Sequence, residues 1–110
     1  MAFGAAFTPF GTTGANSTVN LAVTGSSSSV TIQGVDGSSG PVLRIVNVGT
    51  NTVFIAWAGP GTAATASLTT SMPMLPNSVE TFTLPTNTTQ LSAIAATTGN
   101  TLYITRGEGL

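Results

Sequence analysis

Histidine, lysine and cysteine are all missing from this 110-residue chain. Without cysteine there is neither a disulfide framework nor a thiolate metal site, and the redox compartment stays open. Zinc loses both of its preferred nitrogen and sulfur ligands. Without histidine or lysine, a serine or threonine nucleophile has no neighbouring base. Charge of either sign is scarce too: 5% of residues carry it, against about 25% in ordinary globular domains. The charged residues are Arg44, Arg106, Asp36, Glu80 and Glu108. Three acids and Tyr103 are therefore the whole inventory for acid–base chemistry. A carboxylate pair of the glycosidase kind would draw on Asp36 in a Gly/Ser loop, Glu80 in a strand and Glu108 near the end, a scattered set. The sequence thus points away from an enzyme, and it calls for no cofactor and no metal.

Other functions fall by the same reasoning. Two arginines against three acids cannot build a patch that neutralises phosphates, so nucleic acid is not an expected partner. The glycine-rich stretches at 34–40 and 59–61 precede neither a helix nor a lysine, unlike phosphate loops. The run Asp36-Gly-Ser-Ser-Gly resembles a fragment of a calcium loop, yet it lacks the repeated acids and the closing glutamate; a turn-forming aspartate explains it. No stretch approaches ~18 consecutive apolar residues, so no membrane span is expected. Residues 1–13 contain no basic residue and do not read as a secretory signal.

What is present is apolar and neutral-polar. Hydrophobic residues make up 41% of the chain, and the polar remainder is threonine above all, then glycine, serine and asparagine. That balance is far from the charged, apolar-poor composition of disordered chains. A domain of this length buries roughly 65% of its unfolded surface, enough for a core without staples. With a net charge of −1 and a pI near 4.7, little repulsion keeps copies apart. A neutral surface of this kind suits a protein whose faces are covered by partners.

From Val19 onward the chain is a series of short alternating runs separated by turn residues. The predicted strands are 19–23, 29–33, 42–48, 52–58, 78–84, 90–96 and 101–106. In 42–48, Leu43 and Ile45 face one way, while Val42, Arg44, Val46 and Val48 face the other. Gly49–Asn51 reads as the turn of a hairpin returning into 52–58, where Val53, Ile55 and Trp57 share a side. Segment 59–76 reads as a long loop with one marginal strand. The run 91–96 is too short to nucleate a helix despite its alanines. The expected fold is all-β: one antiparallel β-sandwich, jelly-roll-like or Ig-like, of seven to eight short strands. Residues 1–18 stand apart as an extended N-terminal arm, leaving 19–110 as the sandwich domain. The arm carries Phe3, Phe7 and Phe10 among small residues, placed to dock on a surface. Together with Trp57 and Tyr103, these are the candidate protein-interface residues.

Three segments carry a resemblance: LRIVNVGTNTVFIAWAG (43–59), MPMLPNSVETFTL (72–84) and TLYITRGEGL (101–110). A strand ends in Asn before a glycine turn, and an aromatic strand follows. Then come a proline-bracketed Met/Leu segment, Val-Glu-x-Phe and a Leu-Tyr-Ile strand with a Gly-Glu-Gly tail. The pattern resembles small all-β virion structural proteins of tailed bacteriophages, and residues 1–41 have no part in it. The resemblance implies a capsid decoration or cement protein on the virion's outer surface, clamping neighbouring shell subunits. Its partners would be the major capsid protein and copies of itself, as a homo-oligomer. The alternatives are a phage neck or tail component, a carbohydrate-recognition module stacking sugar on Trp57 and Tyr103, and a secreted adhesin.

Overall fold

The structure, a computed structural model, describes residues 8–9, 18–32, 41–59, 64–83 and 88–108. It is an all-β fold of two antiparallel sheets packed face to face as a sandwich. The strands are β1 (Thr8–Pro9), β2 (Thr18–Val23), β3 (Ser28–Thr31), β4 (Pro41–Val48), β5 (Val53–Ala58), β6 (Met72–Met74), β7 (Val79–Thr83), β8 (Gln90–Ala95) and β9 (Asn100–Glu108). In sheet I, β9 lies between β4 and β2, and β7 flanks β4 on the far side. The two-residue β1 pairs with the end of β9, on the edge that β2 uses further along. Sheet II runs β3-β8-β5-β6.

The pairing is nested. β5 pairs with β6, β4 with β7, β3 with β8 and β2 with β9, all antiparallel. The chain is thus one long hairpin with β5 and β6 at its tip. It is then rolled so that β4 lies along β9 and β5 along β8. Rolling joins what would be open edges and puts two apolar faces together.

Alternation in the sequence decides which side chains meet. Leu21, Val23, Leu43, Ile45, Leu102 and Ile104 point inward from sheet I. Val53, Ile55, Met74, Leu91, Ala93 and Ala95 meet them from sheet II. Small alanines on β8 opposite branched residues let the layers interdigitate, and truncating one of the large side chains costs about 2–5 kcal/mol. The predicted alternation of β4 holds from Leu43 to Val48, with Leu43 and Ile45 fully buried, Val46 half-buried and Arg44 and Val48 exposed; Val42, expected on the outward side with them, is buried. The run 91–96 is strand through Ala95, within β8, and the marginal strand of 59–76 is β6.

The hairpin expected at Gly49–Asn51 is not one. β4 and β5 belong to different sheets and do not pair, so this turn is an arch carrying the chain from sheet I to sheet II. The physical reason lies in its side chains. Asn47 and Asn100 are both buried and hydrogen-bond across the turn, filling the space a flat hairpin would close with backbone pairs. Gly49 takes a φ of 141°, and a Cβ there would sit 2.5 Å from Asn100 Cγ. The chain also changes sheet between β2 and β3, β3 and β4, β6 and β7, β7 and β8, and β8 and β9.

Candidate binding surface

The outward side of sheet I forms the most coherent free face among the described residues. Register places Val79, Val46, Tyr103 and Asn20 in one row across β7, β4, β9 and β2. The next row holds Val48, Thr101 and Ala22, and the row on the other side holds Thr81, Arg44, Thr105 and Thr18. Val79 is 50% exposed, Tyr103 43% and Val48 45%. Thr18 and Thr105 share a hydroxyl hydrogen bond of 2.7 Å. The result is an apolar centre with a rim of threonine and asparagine, in which Arg44 is the one charged side chain among the described residues. Such a surface gains from burial at roughly 25 cal/mol per Å² and loses little charge hydration when covered.

Sheet II presents its outward side differently, because the chain's own loop crosses it. Ser29 and Ser92 are neighbours there, level with Ala56. Ser29 Oγ donates to Ala64 O at 3.2 Å, and Ala66 N donates to Ser27 Oγ at 2.9 Å. Ala64 and Ala66 are buried. Small residues on both sides permit this close approach, so the loop after β5 acts as a strap. Past the strap, Ile55, Ala56, Trp57, Thr70, Ser71 and Met72 line an open groove of about 380 Å³. Trp57 keeps the inward parity of Val53 and Ile55 as predicted, yet at the strand's end it is 38% exposed and forms a groove wall.

The structure thus places Trp57 and Tyr103 apart, one at the rim of sheet II and the other on the outward side of sheet I. They do not form a shared aromatic platform. Phe3, Phe7 and Phe10 lie outside the described residues, as do Asp36 and both glycine-rich stretches apart from Gly59. Glu80 is exposed, but its register opposite Ile45 gives it the inward parity, at the open edge of β7.

Five polar residues are buried among those described, Asn47, Thr88, Ser92, Asn100 and Arg106, and the sequence reading foresaw none of this burial. Asn47 and Asn100 close the arch end of the sandwich, while Arg106 lies inside it with 1% exposure, and burial lowers its pKa. The signal for Arg106 was its parity with Leu102 and Ile104, which outranks the usual preference of arginine for solvent. Among the described residues no three His, Cys, Asp or Glu side chains gather to hold a metal ion. Compared with known proteins, the chain matches no family model, no curated protein and no solved structure.

Proposed function

We propose that this chain is a jelly roll acting as a non-enzymatic virion structural protein, which binds the outside of a phage capsid and clamps neighbouring shell subunits. The observation that carries the reading is the open, nearly neutral outward face of sheet I, on a sandwich whose four nested strand pairs are those of a rolled hairpin. That pairing suits the jelly-roll alternative better than the Ig-like one, and jelly rolls are a recurrent architecture of capsid and lectin domains. Fold alone does not assign function. The resemblance of residues 43–59, 72–84 and 101–110 to phage virion proteins supplies the context.

The mechanism is adhesion by shape. Val46, Val48, Val79 and Tyr103 pack against the shell, and the surrounding threonines satisfy polar groups at the rim. Each contact is modest, but many copies acting across subunit boundaries multiply the effect. The protein forms a homo-oligomer, and the arm of residues 1–18 adds contacts through Phe3, Phe7 and Phe10.

The sugar-binding reading is less favoured, since Trp57 and Tyr103 stand on different sheets. Copy number in purified virions, measured by quantitative mass spectrometry, tests the proposal. Hundreds of copies per particle support decoration, whereas a handful would place the protein at a neck or tail, and none would refute the virion reading.

A further inference from the structure

Strand β5 runs further than its partner β6. Their ladder sets Val53, Phe54 and Ile55 opposite Met74, Pro73 and Met72 and stops there, while β5 continues through Ala56, Trp57 and Ala58. Along a strand, successive residues aim their backbone N–H and C=O at opposite edges. Two observations fix which way Trp57 points. Ala58 O accepts from Thr89 N at 3.0 Å, on the β8 side, so its neighbour Trp57 faces the other edge. Pro73, which has no N–H to give, lies opposite Phe54, which makes Val53 and Ile55 the residues bonded to β6. Trp57 shares their parity. In register its partner would be Thr70, but the chain has turned away there. Ser71 N donates to Ser67 O at 3.2 Å, and Ser67 N donates to Ser71 Oγ at 2.8 Å. Among the described residues, no backbone group pairs with Trp57 on that edge.

The open groove lies at this gap. Ile55, Ala56 and Trp57 of β5 form one wall, and Thr70, Ser71 and Met72 form the other. None of the six is charged, so a charged side chain brought in would lose hydration and find no counter-charge among them. An edge strand already held in a sheet would arrive with a neighbour of its own, for which the facing turn leaves no room. A lone extended segment fits between the two walls. We propose that this groove binds an extended, uncharged peptide segment of a partner protein. The segment takes the place beside Trp57 that β6 leaves open and bonds to its N–H and C=O as an added strand. This is a second contact surface, on sheet II, and it stands or falls separately from the capsid reading.

The test uses the full chain, whose single tryptophan gives one indole N–H signal in a proton–nitrogen spectrum. The probes are acetyl-Thr-Val-Thr-Val-Thr-amide, the same peptide methylated on every backbone nitrogen, and an analogue with glutamate in place of both valines. The first is expected to move the indole and Trp57 backbone N–H signals saturably, and to slow exchange of that backbone N–H with water at least tenfold. The methylated peptide, which cannot donate to a ladder, and the glutamate analogue should each bind at least tenfold more weakly. Equal binding by the methylated peptide would reduce the site to an apolar cleft and overturn strand addition, and equal binding by the glutamate analogue would overturn the preference for an uncharged segment. The proposal also falls if the first peptide has no effect, or if the Trp57 N–H is already protected in the free chain. Signals that move with the protein's own concentration instead would assign the groove to a second copy and overturn it too.

Discussion

Asn100 Nδ2 donates to Asn47 Oδ1 at 2.7 Å, and this bond locks the arch end of the sandwich. Asn47 Nδ2 in turn reaches Met74 O at 3.2 Å and Leu75 O at 3.0 Å, crossing from sheet I to the end of β6 in sheet II. Asn100 completes the ring, giving its second N–H to Asn51 O at 2.7 Å and accepting from Asn51 N at 3.2 Å. Both amides have hydrogen-bond partners on donor and acceptor sides, which is what makes their burial tolerable.

Truncating Asn47 leaves the Met74 and Leu75 carbonyls and one Asn100 N–H short of partners. Asn47→Ala is expected to cost about 2–4 kcal/mol, with the denaturant slope unchanged. Urea unfolding measures it, and a loss below about 0.5 kcal/mol would show that water replaces the side chain.

Two glycines with positive φ among the described residues separate crowding from backbone strain. Gly49 (φ 141°) faces the Asn100 side chain at contact distance, while Gly99 (φ 121°) has nothing within 4 Å of a Cβ. Gly99→Ala should cost about 1 kcal/mol for its conformation alone. Gly49→Ala should cost at least about 1 kcal/mol more, because Asn100 must move and its network breaks. Equal losses in thermal or urea unfolding would remove the steric argument.

Local alternation made most strands legible, because period two is written in the sequence wherever one face is buried. Leu43 and Ile45 against Arg44 show it plainly. Pairing partners were not legible in the same way. Gly49-Thr50-Asn51 has the same chemistry whether it closes a hairpin or an arch, and the choice is made by long-range pairing of β4 with β7 and β9. The surface was half legible: Tyr103 was assigned opposite Leu102 and Ile104 and is exposed. Trp57 shares the parity of two core residues, and only the end of β5 leaves it open to solvent.

Edge protection rests on few residues, since lysine is absent. β6 is three residues long with Pro73 in its middle, and Glu80 takes the inward parity on β7; both devices discourage strand addition. Glu80→Val is expected to leave unfolding free energy within about 0.5 kcal/mol while raising self-association. Sedimentation velocity reads the change, and an unaltered size distribution would sink the edge argument.

Binding by shape has a salt signature. Exposed ion pairs are worth about 0–1 kcal/mol and weaken with salt, whereas apolar burial does not weaken in that way. Retention on the particle should change little between low and near-molar salt, and Glu80→Gln should cost at most a modest fraction of affinity. Val79→Ser combined with Tyr103→Ser should keep the fold yet lower retention at least tenfold. Steep loss of occupancy with salt would point instead to a charged contact.

The central claim, that the outward face of sheet I grips a phage shell, is tested most directly by a cryo-EM map of the intact particle. The account predicts density for this sandwich on the outside of the head, repeated across capsomer boundaries. Val46, Val79 and Tyr103 should be turned towards the shell. Density confined to the neck or tail, or a head-bound copy with that face turned to solvent, would contradict it.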